Sequence, residues 1–291
     1  MQKIIDTHIH KLDLDRFRLP WLDEVPELNH PILLDQYAAA QTSTDQYKVI
    51  GAVHIELDTA PSEKRKENDY FVDLAAANET VIKCAAIYAD MKSPQLREWI
   101  EPYVNRNGVS SVRYVLHVPS EAPGTCLTEQ FVNNVKMLGE CGLQFEGCFR
   151  TSEIMDFYEL VRRCPKTAFI LNHMGLPDLT AWTDEKRSGE VSLWQEGIEK
   201  LAELPNITCK ISGLSSGEVT AIRPLVEWCL NKFGPDRIMF ASNFPVCNLN
   251  VSFDDWTLAL LDIFKEQPEE IRDQFFYKNA IKIYHLSEEQ L

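Results

Sequence analysis

Two histidines separated by one residue, His8 and His10, end the apolar run Ile4-Ile5-Asp6-Thr7-His8-Ile9-His10. Strand side chains alternate with period two, so Asp6, His8 and His10 are expected on one face. Two imidazoles converging at a strand end suit a divalent cation or a polarised oxygen. The spacing also arises by chance. What decides its meaning is which other polar side chains the fold brings to the same place.

Short apolar runs bounded by turn signals occur at 3–10, 48–57, 80–88, 109–116, 142–148, 167–173, 206–212 and 237–242, which predicts eight strands. Between them, segments such as 70–77, 131–138, 155–161 and 191–201 repeat apolar residues at helical spacing. Eightfold strand–helix alternation predicts an α/β protein, a single-domain (β/α)8 barrel over residues 1–291, with a doubly wound open sheet as the alternative. No Pro-, Gly- or Ser-rich linker divides the chain. The longest irregular stretch, about 11–34, carries Pro20, Trp21, Pro26 and Pro31, which forbid a continuous helix. An insertion there follows the first strand and lies on the rim, where it either covers a pocket, with Trp21 as a substrate contact, or packs as ordinary surface. Residues 268–291 are expected to form closing helices.

In a parallel barrel the reactive groups collect at the C-terminal strand ends. The first strand brings His8 and His10, the second His54 and Glu56, the fourth Arg113 and then His117, the fifth Glu146 and Cys148. The sixth brings His173, the seventh Lys210 or Ser212, and the eighth Ser242 or Asn243. His54 reads either as a satisfied rim histidine or as a substrate contact. Arg113, inside an apolar strand, needs a partner for its planar fork: a ligand oxygen, or an internal ion pair with Glu146. His173 sits where a buried strand turns outward in Asn172-His173-Met174-Gly175, the glycine permitting the turn.

Bulk composition narrows the partners. A net charge of -15 opposes nucleic acid and anionic membrane surfaces, which call for basic patches, so a small molecule is expected. Met1 leads straight into a strand-like run with no secretory pattern, and no apolar run is long enough to span a bilayer, so a cytoplasmic protein is expected. The eight cysteines are scattered without a CxxC pair and read as reduced. A homo-oligomer is compatible with all of this.

The motifs Ile5-Asp6-Thr7-His8-Ile9-His10, Leu19-Pro20-Trp21-Leu22, Gly108-Val109-Ser110-Ser111-Val112-Arg113-Tyr114, Leu171-Asn172-His173-Met174-Gly175-Leu176-Pro177, the run from Leu204 to Leu214, and Arg237 to Val246 occur in this order. Together they resemble the amidohydrolase superfamily, in particular the amidohydrolase-2 group of sugar lactonases and 2-pyrone-4,6-dicarboxylate hydrolase. The resemblance spans nearly the whole chain. It implies a (β/α)8 barrel whose His-x-His pair and sixth-strand histidine line the pocket, and a preference for lactone hydrolysis. One departure stands out. Family hydrolases usually place an aspartate where this chain has Asn243, and an amide neither accepts a proton near neutral pH nor ligates as a carboxylate does.

The expected reaction is hydrolysis of a sugar-acid lactone by metal- or histidine-assisted water attack. His8 and His10 would hold one divalent cation, Zn2+ foremost, or the carbonyl oxygen directly, and Zn2+ can bring its water to a pKa near 7 without an aspartate base. Glu146 would serve as third ligand or replacement base, His173 would polarise the carbonyl or carry the proton, and Asn243 would position water. Arg113, His54 and Trp21 would contact substrate. The alternatives are a decarboxylase or carbon–carbon hydrolase of an unsaturated or aromatic acid, and a barrel that binds a carbohydrate acid without turning it over. A dicarboxylate would ask for several arginines, whereas only Arg113 falls inside.

Overall fold

The computed structural model describes residues 1–291, the side chain of Glu288 apart. Its eight parallel strands are β1 (Gln2–Ile9), β2 (Tyr47–Ile55), β3 (Ile82–Tyr88), β4 (Val109–Val115), β5 (Gln144–Cys148), β6 (Phe169–Leu171), β7 (Ile207–Ile211) and β8 (Ile238–Phe240). They pair in sequence order, and the Ile9–Phe244 bridge brings the last strand's continuation back to the first. The outer layer includes α1 (Leu34–Ala39), α2 (Lys64–Ala77), α3 (Leu96–Ile100), α4 (Glu129–Glu140), α5 (Ile154–Arg163), α6 (Ser188–Ala202), α7 (Val219–Phe233) and α8 (Phe253–Phe264). Every predicted strand forms, and the barrel rather than the open sheet is the observed architecture.

Two strands, β6 and β8, are cut to three residues each, about half the expected length or less, and the causes are local. β6 stops at Leu171 because His173 and Met174 take positive φ values of 55° and 52°, outside any strand conformation. β8 stops at Phe240 because the next turn is tied to β1: Ser242 donates its backbone N–H and hydroxyl to Asp6, and Asn243 N–H donates to the His8 carbonyl.

That tie corrects the expected alternation of β1. The pairing register with β2 slips between Asp6 and Ile9, a bulge that changes which side chains face inward. Ile5 lies inside the barrel with Val53 and Met239, whereas Ile4 and Ile9 pack into the layer between strands and helices. Asp6 therefore does not share a face with the two histidines. It turns to Ser242 and to Tyr37, whose hydroxyl donates to it at 2.9 Å.

The N-terminal end of the barrel is plugged. After α9 (Glu269–Asp273), a wide helical turn leads into α10 (Asn279–Ile283), and Ala280, Tyr284 and Leu286 pack against Ile5, Val53, Cys84, Ala86, Ile170 and Met239. At the other end, residues 11–34 make a loop closed by the antiparallel Leu12–Ile32 bridge and two short 3-10 turns at Pro20–Glu24 and Pro26–Leu28. Leu12, Phe17, Leu19, Leu22 and Leu28 of this loop are buried in the core. Trp21 is partly buried and donates its indole N–H to the Leu57 carbonyl beyond β2 at 2.8 Å.

Candidate active site

The bulge in β1 delivers His8 and His10 with their Nε2 atoms 3.2 Å apart. His10 Nδ1 lies 3.0 Å from the Ile55 carbonyl, which can only accept, so the proton of neutral His10 sits on Nδ1 and its Nε2 lone pair faces His8. His8 then donates from Nε2, leaving a lone pair on Nδ1 that is buried and has no partner. Burial pushes His10 down to about 3, aided by the Arg113 charge and partly offset by its hydrogen bonds to the Ile55 carbonyl and the Asn243 side chain. Burial also holds His8 well below the ordinary histidine range, with His173 and Lys210 adding to the effect. Both rings are neutral at physiological pH.

His173 completes the imidazole group. Its ring centre lies 4.4 Å from that of His8, and its Nδ1 is 2.8 Å from the Ser212 hydroxyl. The left-handed backbone here is held from outside: the Trp194 indole donates to the Met174 carbonyl at 2.7 Å, and Thr151 donates to the Gly175 carbonyl at 2.9 Å. Gly213 faces the ring, and a Cβ there would sit 2.6 Å from His173 Cβ. Non-glycine residues at positive φ persist where the surroundings over-determine them, and such sites are often functional. Burial lowers the His173 pKa well below the ordinary value, and the Arg113 and Lys210 charges reinforce this.

The charged side chains pair differently from the expectation. Arg113 does not bond Glu146, although the two are register neighbours on β4 and β5. Its Nη1 meets Glu56 of the β2 end at 2.7 Å, while its buried Nε has no partner. Burial alone would raise the Glu56 pKa, but Lys64 and Arg113 hold it below the usual value. Glu146 is fully buried and bonds Lys210 at 2.6 Å, the Ser111 hydroxyl at 2.8 Å and the Tyr284 hydroxyl at 2.9 Å. Tyr284 belongs to the plug, so Glu146 is anchored toward the closed end of the barrel, with both oxygens occupied.

The remaining candidates are distributed around the rim. His54, expected as a substrate contact, points away from the pocket: Val53 and Ile55 on either side of it face the barrel interior, and His54 stacks on Phe71 of α2 at 3.4 Å between ring centres with its buried Nε2 unpartnered. Cys148 Sγ lies 3.3 Å from Nδ1 of the exposed His117; burial raises the thiol pKa, but His117 and Arg113 bring it below its ordinary value. Asn243 has φ 64°, a conformation asparagine tolerates, and this places its amide toward His10. Trp21 remains at the rim over Leu57. Sequence reasoning overlooked Asn172, a buried residue with neither its amide oxygen nor its amide nitrogen bonded. Its signal was present: a polar residue two positions after inward-facing Ile170.

The donor set does not suit a divalent cation. A histidine that ligates a metal almost always donates its other N–H to a carbonyl, carboxylate or water. His10 has such a partner in Ile55, but His8 Nδ1 has none. Among the described residues no group of three or more His, Cys, Asp or Glu side chains is arranged to hold an ion. The nearby carboxylates are committed: Asp6 to Ser242 and Tyr37, Glu56 to Arg113, Glu146 to Lys210. Two imidazoles under the positive charges of Arg113 and Lys210 do not make a complete divalent site.

A parallel (β/α)8 barrel with polar side chains gathered at the C-terminal strand ends has the architecture of a barrel enzyme. The sequence model of the amidohydrolase family matches residues 5–286, and the chain belongs to that family. It is 22% identical over 270 residues to L-fucono-1,5-lactonase of Burkholderia multivorans, covering 86% of this chain and 85% of that protein. It is 25% identical to L-rhamnono-gamma-lactonase of Scheffersomyces stipitis, covering 98% of this chain and 99% of that protein. The crystal structure of an amidohydrolase from Burkholderia multivorans with bound zinc superposes with a TM-score of 0.83 at 21% identity, over 98% of this chain and 99% of that one, which shows the shared fold. Among the described residues no helix is long and apolar enough to cross a membrane.

Proposed function

We propose that this protein opens the ring of a sugar-acid lactone by histidine-assisted attack of water. One observation carries the reading. Of the seven buried side-chain polar atoms without a partner among the described residues, four belong to His8, Arg113 and Asn172, at the C-terminal ends of β1, β4 and β6. Unsatisfied buried polar groups cost free energy and are uncommon in native proteins, so their convergence at the catalytic end of a barrel marks a place where a polar ligand supplies the missing bonds. The lactonase relatives give that ligand its chemical class.

In this reading His8 Nδ1 takes the proton of the attacking water as the water oxygen bonds to the lactone carbonyl carbon. The imidazolium so formed donates from Nε2 to His10, whose orientation is fixed by Ile55; the neutral His10 thus stabilises the charge on His8. His173, oriented by Ser212, donates from Nε2 to the carbonyl oxygen as it becomes an oxyanion. The Arg113 and Lys210 charges favour that oxyanion, consistent with their downward effect on all three histidines. The ring C–O bond then breaks, the leaving alkoxide takes a proton from His8, and the hydroxy acid is released as carboxylate with a net proton. Asn243 positions water beside His10, while Arg113 contacts the sugar and Trp21 borders it; His54, turned toward α2, takes no part. Glu146 has no chemical role here, because its oxygens are used inside the barrel. A decarboxylase or dicarboxylate hydrolase has less support, since Arg113 already spends one arm on Glu56.

The test is a panel of five- and six-membered aldonolactones followed by proton release at fixed pH. Turnover of at least one member, with the wild-type rate far above spontaneous opening, is expected. Tight binding of aldonates with no turnover of any lactone would overturn the enzyme reading in favour of a binding barrel.

A further inference from the structure

We propose that Asn172 reads the hydroxyl groups of the substrate, its Oδ1 accepting from one ring hydroxyl and its Nδ2 donating to the neighbouring one. This rests on the lactone reading above and adds the element that separates polyhydroxylated rings from plain ones. Leu171 is extended, with φ -81° and ψ 112°, so Asn172 leaves the backbone on the same side as Ile170. Ile170 packs inside the barrel with Ile5, Val53 and Met239, which places Asn172 one step above them on the axial face. The residue is 1% exposed, yet both of its amide heavy atoms lack partners.

A buried amide is satisfied by partners that both give and receive hydrogen bonds. A hydroxyl does both. Two neighbouring hydroxyls can meet the acceptor and donor edges of one amide together, whereas a carboxylate offers only acceptors and would leave Oδ1 bare. Position adds to the argument. Asn172 directly precedes His173, whose bond to Ser212 aims it into the site, so an amide beside the carbonyl-polarising group falls next to the two ring carbons that follow the carbonyl on the side away from the ring oxygen. In an aldonolactone those carbons carry hydroxyls.

The experiment compares wild type, Asn172→Leu and Asn172→Asp on polyhydroxylated aldonolactones and on unsubstituted lactones of the same ring size. Removing a partner from a hydrogen-bonded substrate group costs on the order of 10–100-fold. The ratio of kcat/KM for hydroxylated over plain lactones is expected to fall by about that factor in Asn172→Leu, chiefly through KM. Asn172→Asp keeps the shape but loses the donors, and is expected to lie between; it also supplies the measurement if the leucine variant does not fold. The melting temperature of Asn172→Leu should hold or rise, because no protein bond is lost. Wild type active on lactones with an unchanged selectivity ratio in both variants overturns this inference and leaves the lactone reading standing. Lower melting temperatures in both variants without a selective kinetic change would mean a structural water partner and would likewise overturn it. A wild type inert on every lactone overturns the functional reading, and this inference with it.

Discussion

The barrel interior holds two polar layers of nearly equal burial and opposite condition. In the lower layer, Glu146 and Lys210 are both 0% exposed, and Ser111 and Tyr284 complete the bonding of the carboxylate. In the upper layer His8, Arg113 and Asn172 are 7% exposed or less, and each keeps at least one buried atom without a partner. Burial therefore does not separate structural from functional polarity here; completeness of bonding does. A closed network fixes a shape, whereas an open one stores unmet hydrogen-bonding capacity for a ligand.

The comparison is most exposed at Lys210. Removing one partner of a buried pair strands the other, so Lys210→Met is expected to destabilise the fold by about 3–5 kcal/mol. Chemical denaturation should show it, and Lys210→Met combined with Glu146→Leu should recover much of the loss. If the single variant melts like wild type, the lower layer is not structural. In the upper layer the signs reverse: His8→Asn should lower kcat by about 10²–10⁴-fold, the usual worth of a general base, with little change in melting temperature. A stability loss as large as that of Lys210→Met would erase the distinction between the layers.

Acid supplies a gentler test. The folded pKa of His10 lies near 3 against an ordinary 6.5, so between those values the unfolded chain binds a proton that the folded chain refuses. Stability present above pH 6.5 is thus lost as pH falls through this window, and His8 and His173 act in the same direction. Asp6 and Glu67 oppose them, because burial raises Asp6 to about 6 and Glu67 to about 8, and the folded state retains their protons below those values. The urea midpoint should fall from pH 7 to pH 4, and more shallowly in His10→Asn. The smallest expected effect is none at all: dialysis against a chelator should leave kcat unchanged. Loss of activity restored by Zn2+ alone would instead mean that His8 and His10 help to hold a cation the reaction needs.

Much of the scaffold was legible because hydrophobic periodicity survives averaging over many residues, and eight apolar runs became eight strands. The rim positions of His8, His10, Arg113 and His173 followed from alternation and turn signals. Pairing was not legible. Arg113 and Glu146 are adjacent in register, yet the side chains diverge because Glu56 reaches Arg113 from β2 and Lys210 reaches Glu146 from β7. A one-residue slip in β1 was equally invisible, since it depends on how Ser242 and Tyr37 engage Asp6 across more than 200 and 30 residues of chain respectively. Asn172 was overlooked because the neighbouring histidine drew the chemistry to itself.

The plug beneath the barrel also sets an order of events during synthesis. Tyr284 supplies a bond to Glu146, and Ala280 and Leu286 cover the apolar floor made by Ile5, Val53 and Met239. The first strand leaves the ribosome long before those residues do. Until residue 286 has emerged, the floor stays open to water, and the Lys210–Glu146 pair keeps a route to solvent. Completion of this enzyme is therefore a late event, and the nascent barrel must protect its exposed strands while it waits for its own floor.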